Sequence, residues 1–185
     1  MNQTCCRGRG SRGLLLAGAF AAMVVGACER EAEPPAIASG EWRAFEGSWN
    51  AAGARRTIPL GVDRTGSIVD LRGTMLLSGA GRPGVGFRAE IIGLADSGTG
   101  LVGRGVWTDE RGDKVFSELK GEGTKENNHI VGTFLGGTGR FIGVTGSFEF
   151  AWEYVIESED GSIQGRAVGL KGRFRTGPAM AEGTE

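Results

Sequence analysis

Between Thr145 and Glu157 the chain alternates between apolar and acidic side chains. Phe148, Phe150, Trp152, Tyr154 and Ile156 fall on one side of an extended backbone, and Glu149, Glu153 and Glu157 on the other. Successive side chains of a strand point to opposite faces, so this run is satisfied only as a strand with one face in an apolar core and one in water. The pattern recurs. In 67–78, Val69, Leu71, Met75 and Leu77 oppose Asp70 and Arg72; in 84–95, Val85, Phe87 and Ile91 oppose Arg88 and Glu90; in 100–109, Leu101 and Trp107 oppose Arg104. Nothing between these segments offers a helix of any length.

The strand candidates are 41–50, 55–62, 67–78, 84–95, 100–109, 114–121, 128–135, 145–157 and 162–175. Short turns separate them, among them Asp63-Arg64-Thr65-Gly66, Glu110-Arg111-Gly112-Asp113 and Glu159-Asp160-Gly161, each with glycine where a left-handed backbone costs least. The chain holds 35 glycines and only 5 prolines, and the glycines are interleaved with Val, Ile, Phe and Trp, so they punctuate strands and do not mark a disordered low-complexity chain. Eight or nine antiparallel strands, each wet on one side, must close into a barrel or stack as a sandwich to bury the other side. The meander of short loops and the glycines inside strands, which relieve bending, favour the closed antiparallel barrel.

The amino-terminal region is of another kind. Arg7, Arg9 and Arg12 precede the apolar stretch 14–26, and the run Val25-Gly26-Ala27-Cys28 ends it. At about 13 residues the apolar stretch is too short to cross a hydrocarbon layer of roughly 30 Å as a helix. The combination resembles a bacterial lipoprotein signal. That resemblance implies alkylation of the Cys28 thiolate with diacylglycerol, cleavage just before it, and a mature protein held on a membrane by its acyl chains. An ordinary cleavable signal followed by a free cysteine is the alternative, because Ala27 also suits the common peptidase. Either route takes the protein out of the cytoplasm. Glu29 stands where an aspartate would resemble an inner-membrane retention signal, which favours the periplasmic face of an outer membrane in a two-membrane cell.

The expected organisation is a signal peptide at 1–27, a tether at 28–39 containing Glu31, Glu33, Pro34 and Pro35, a barrel domain at 40–177 and a frayed tail at 178–185. Loss of three signal arginines moves the net charge from −1 to −4, which gives no reason to expect nucleic acid as a partner. Cys5 and Cys6 leave with the signal and Cys28 is consumed by lipid, so stability has to come from packing and not from disulfides.

The segment Gly132-Thr133-Phe134-Leu135-Gly136-Gly137-Thr138-Gly139-Arg140-Phe141-Ile142-Gly143-Val144-Thr145-Gly146 resembles the signature loop of the allene oxide cyclase barrel superfamily, which includes plant dirigent proteins. There a strand ends in a G-G-T-G-[RK]-[FY] turn, kinks through a short helical element and re-enters the sheet. The resemblance implies a closed antiparallel eight-stranded β-barrel with an apolar cavity, often assembled as a homotrimer, with Phe141 and Ile142 plugging one end and the ninth strand candidate, 55–62, as an edge segment. Allene oxide cyclases steer a fatty-acid epoxide with a glutamate and a water, and dirigent proteins orient phenoxy intermediates with aspartates and arginine. None of those residues aligns here, and a shared fold does not carry chemistry with it.

The chain offers little catalytic equipment. Asp70, Glu90, Glu118, Glu149 and Glu153 alternate onto outer faces, where pairing with Arg72, Arg88, Arg104 or Lys120 accounts for them. Asp109, Glu110 and Asp113 share a hairpin tip without calcium-loop spacing, as turn carboxylates do for local hydrogen bonding. His129 is the only histidine, beside Asn127 and Asn128, so no histidine-based metal site or triad can be assembled. Residues 79–84 fit G-x-G-x-x-G but run into a strand, without the helix N-terminus that receives a pyrophosphate. No catalytic residue, metal or cofactor is therefore assigned. What remains is the aromatic set Phe87, Trp107, Phe148, Phe150, Trp152 and Tyr154, which fills a core or lines a pocket for a small hydrophobic ligand. Three readings stay open: a lipid-anchored binder of an apolar molecule or lipid without catalysis, a cyclase- or dirigent-like enzyme steering a reactive apolar intermediate, and a structural or assembly lipoprotein. The enzyme reading requires a charged residue inside the barrel.

Overall fold

The computed structural model describes residues 40–79, 82–122 and 129–177. The signal, Cys28, the tether and the tail at 178–185 lie outside the described residues. Eight antiparallel strands follow one another around a closed barrel. They are β1 (Arg43–Pro59), β2 (Thr65–Gly79), β3 (Arg82–Asp96), β4 (Gly100–Asp109), β5 (Lys114–Gly121), β6 (His129–Gly137), β7 (Thr145–Glu157) and β8 (Ser162–Arg175). Among the described residues the single helical element is a 3-10 turn at Gly139–Phe141. β1 pairs with β2 on one side and β8 on the other, which closes the sheet and leaves no edge. The expected architecture is therefore the one observed. Its core cluster lies wholly between Phe45 and Phe174, so the barrel needs no residue outside it to bury its apolar face.

One expectation is corrected. Segments 41–50 and 55–62 are not two strands, and 55–62 is not an edge: both belong to β1, 17 residues long. Ala51-Ala52-Gly53-Ala54 lacks bulk and so interrupts the apolar pattern, yet its backbone keeps pairing, with Gly53 opposite Leu71 of β2 and Ile163 of β8. A Cβ on Gly53 would collide with the Asp70 carbonyl, and one on Gly73 with that of Asn50, so the small side chains let β1 and β2 approach.

Inward and outward faces follow the alternation except where the register slips. Gly169 has φ +65°, and around it the β1 partners jump from Gly47↔Leu170 to Trp49↔Ala167. Such a bulge inserts one residue and re-aims the rest, which puts Ala167 and Leu170 inside and Val168 outside. A second slip, between Tyr154 and Ile156, turns Ile156 out to solvent and corrects its assignment to the inner face.

The barrel axis is occupied by rings. Trp107 lies 4.7 Å from Phe148 and 5.2 Å from Phe134, Phe148 stacks on Phe150 at 6.3 Å, and Trp49 sits 5.1 Å from Trp152. Several in-strand glycines are seats for these rings. Gly132 pairs across from Phe148, whose ring occupies the place of its Cβ; Gly165 lies under Trp152, and Gly172 under Phe45. The glycines thus do more than relieve bending: they make room for aromatic side chains that a tube of this girth could not otherwise hold.

Candidate functional site

The rings divide the interior into two cavities, one at each end. The proximal end is where the chain joins the barrel, with the Gly40 amide donating to the Thr176 carbonyl at 2.8 Å. Its cavity has a volume of about 540 Å³ and is lined by Leu77, Val85, Phe87, Trp107, Phe141 and Phe174, among others. Arg43 also lines it, on the same face of β1 as Phe45 and Trp49. Among the described residues Arg43 Nη1 is buried without a hydrogen-bond partner. A guanidinium N–H left so in an apolar setting is costly until an acceptor reaches it.

The loop between β6 and β7 covers part of this end. The side chain of Asp109 is fully buried, and its Oδ1 accepts from the backbone amides of Arg111 at 2.8 Å and Asp113 at 2.9 Å. Arg140 Nη2 lies 2.6 Å from Asp109 Oδ2 as an ion pair. Gly139, at φ +52°, fits against the Asp113 carboxylate where no Cβ could stand. The kink so fixed drops Phe141 onto Phe87, ring centroids 5.8 Å apart, whereas Ile142 is 56% exposed. Phe141 closes on the interior as expected; Ile142 does not, because the 3-10 turn ends before it. The acidic hairpin tip is thus spent on turn and loop hydrogen bonding, and no group of metal ligands occurs among the described residues.

The distal cavity, about 450 Å³, holds Trp49, Phe150, Trp152 and Tyr154, with Arg55, Asp96, His129 and Glu157 also in its lining. Nε1 of Trp49 and of Trp152 are buried donors without partners. Arg55 pairs with Glu157 through both guanidinium ends, at 3.0 and 3.3 Å, and sits 5.3 Å from the Tyr154 ring centroid. Burial opposes the Arg55 charge, but the hydrogen bond and charge of Glu157 and the nearby Tyr154 outweigh it and raise its pKa above the usual guanidinium value. Asp96, held by Arg64 at 2.6 Å and by the Gly98 amide at 2.8 Å, has its pKa lowered to about 2. His129 Nε2 stands 3.5 Å from Glu149 Oε2, so the ring belongs to this end and meets a carboxylate there, and is not a solvated turn residue alone. Lys171, 3.1 Å from Glu149, is the chief cause of that carboxyl's lowered pKa, with His129 adding to it.

The six aromatic candidates do not meet in one pocket. Phe87 and Trp107 line the proximal cavity; Phe150, Trp152 and Tyr154 line the distal one; Phe148 stands between, touching Trp107 on one side and Phe150 on the other. Outside, the carboxylates pair across strands as expected in Glu90 with Arg72 at 3.8 Å and Glu118 with Arg104 at 3.6 Å; Asp70 pairs along its own strand with Arg72 at 3.3 Å, and Glu153 takes Arg166 of β8 at 2.6 Å, a partner the sequence reading did not name. A further hollow of about 590 Å³ lies along Glu46, Ser78, Val131, Glu149 and Lys171, a shallow outer furrow with no convergent unpaired groups. Sequence reasoning missed Arg43 and Arg55. Both share the odd-numbered parity of Phe45, Trp49 and Ala51: for Arg43 the signal is already present within 41–50, and for Arg55 it emerges only when 43–59 is read as one strand.

Fold and interior together define a small closed antiparallel barrel with a largely apolar cavity at one end, a mixed aromatic and charged cavity at the other, and an arginine on the inward face near each mouth. No family model and no curated protein matches the chain. Among solved structures it is similar to the pterocarpan synthase dirigent protein, at 13% sequence identity over 79% of this chain and 92% of that one, with a TM-score of 0.45.

Proposed function

We propose that the protein is a lipid-anchored, extracytoplasmic barrel that binds a small hydrophobic molecule or lipid in its proximal cavity without transforming it. The observation that carries this reading is the unpaired Arg43 donor in a cavity lined chiefly by apolar side chains, with Glu41, Ser78 and Arg140 also in its wall, which calls for a ligand with an apolar body and one acceptor oxygen or anionic group. Cys28 is the attachment point, and metabolic labelling with a fatty acid that is lost in Cys28→Ala supports the anchor. For the ligand, anilinonaphthalene sulfonate is titrated into purified protein alongside native mass spectrometry. Arg43→Met is expected to weaken the probe by roughly tenfold or more, the worth of a hydrogen bond to a charged group. No probe binding, together with no co-purified apolar compound, would sink the reading.

A second reading, steering of a reactive apolar intermediate, is favoured by the distal cavity, where Arg55, Tyr154 and two unpaired indole N–H groups border an apolar space. Turnover or altered product stereochemistry with an apolar radical or epoxide that vanishes in Arg55→Met is its test. The assembly reading takes Ile68, Leu94 and Val102, which pair side by side across β2, β3 and β4 and are each more than half exposed, as a surface for further copies in a homotrimer. Sedimentation as a monomer overturns it.

A further inference from the structure

The two ends of the barrel differ in a way that the ligand reading does not use. Among the described residues the distal turns carry Asp63, Asp96, Glu122, Glu159 and Asp160 against Arg64. Among the described residues the proximal end carries Arg43, Arg111, Lys114, Arg140, Arg173 and Arg175 against Glu41, Asp109, Glu110 and Asp113, with Arg140 paired to Asp109. The protein is therefore acidic at one end and basic at the other, along the axis of the barrel. On the basic end stands Trp42, 46% exposed, with the guanidinium carbons of Arg173 and Arg175 each 5.0 Å from its ring centroid. Ile142 and Val85 are exposed at the same end.

A half-exposed indole flanked by cations, beside aliphatic side chains, is the composition that settles at a bilayer–water boundary, where the ring fits the headgroup level and the cations meet lipid phosphates. Chain geometry agrees. Residues 28–39 join the barrel at this end, through Gly40, and even fully extended they reach only about 40 Å. An anchor at Cys28 is thus attached through the basic end of the barrel.

We propose that the proximal end of the barrel docks on an anionic lipid surface, with Trp42 in the headgroup layer and Arg173 and Arg175 on lipid phosphates, so that the proximal cavity opens toward the membrane. The inference rests on the lipid-anchored binding reading for its purpose, but not for its test. One acyl-linked attachment and a basic patch are the two signals that together give stable membrane residence, and the acidic end is repelled from the same surface.

The test uses Ala36–Glu185, the compact unit containing the whole barrel, with an N-terminal histidine tag that holds it on phosphatidylcholine vesicles through a nickel-chelating lipid. Tryptophan emission is read against brominated phosphatidylcholine, with and without phosphatidylglycerol. Trp49, Trp107 and Trp152 are buried, so Trp42 supplies the quenchable signal. Quenching is expected to be at least about twofold stronger with phosphatidylglycerol, to fall with added salt, and to vanish in Trp42→Phe and in the Arg173→Glu, Arg175→Glu pair. Near-ultraviolet circular dichroism checks that the pair still folds. Quenching that ignores phosphatidylglycerol, or that persists in Trp42→Phe, overturns the proposal. So does equal quenching of a tryptophan placed at the distal end by Ser97→Trp in the Trp42→Phe background. Anilinonaphthalene sulfonate binding without vesicles separates the two readings: probe binding retained without quenching overturns the docking alone, and quenching without probe binding overturns the ligand reading alone.

Discussion

At the scale of single residues, the barrel is held open or filled by which positions lack a side chain. Gly132 has no room for a methyl group because the Phe148 ring covers it. Gly132→Ala is therefore expected to cost about 1–3 kcal/mol of stability by overpacking, measured by denaturant unfolding. Combined with Phe148→Leu, which vacates the space, the two losses should fall short of their sum, since the pair share one site. Strict additivity would mean that the ring does not sit on the glycine. The alternation of Phe148, Phe150 and Trp152 was fully legible in the sequence, because a strand's period of two leaves no other way to hide three rings beside three glutamates. The seats opposite them were not, since cross-strand partners are set by register and no local pattern announces which glycine faces which ring.

At the scale of elements, ion pairs between hairpins tie the barrel's distal end. Arg64, in the turn after β1, reaches Asp96 at the end of β3. Because the folded Asp96 titrates at about 2, below the ordinary carboxyl value near 3.9, the stability it contributes is present above the unfolded value and is lost as pH falls through about 2. Thermal unfolding followed from pH 5 down to pH 2 should show a fall in Tm that is shallower in Asp96→Asn, which has no such proton to take up. Identical slopes would detach the pair from folding. The turns themselves were legible: Gly112 and Gly161 take positive φ as their sequences suggest, though Gly66 already belongs to β2, with Leu60 packed against it. The length of β1 was not legible, because Ala51 to Ala54 carry too little bulk to show a period, and pairing on both sides overrides that silence. The same lapse hid Arg55, whereas Arg43 shared the parity of Phe45 and Trp49 within 41–50. The bulge at Gly169 shifts parity within β8, and a period-two reading cannot register an inserted residue until the partners are known.

At the scale of the whole molecule, closure is what replaces disulfides, since the barrel region contains no cysteine. β1 depends on β8 for half of its pairing, so a chain truncated at residue 161 exposes two edges at once. It is expected to show no cooperative unfolding transition and to aggregate; a soluble, cooperatively melting product would mean that the sheet is stable open. The aromatic band across the middle has its own consequence. A molecule admitted at one mouth meets Trp107, Phe134 and Phe148 before it could reach the other side. The barrel is two dead ends set back to back and not a conduit: whatever enters leaves by the same door, so the protein can store, present or hold a guest, but it cannot pass one through.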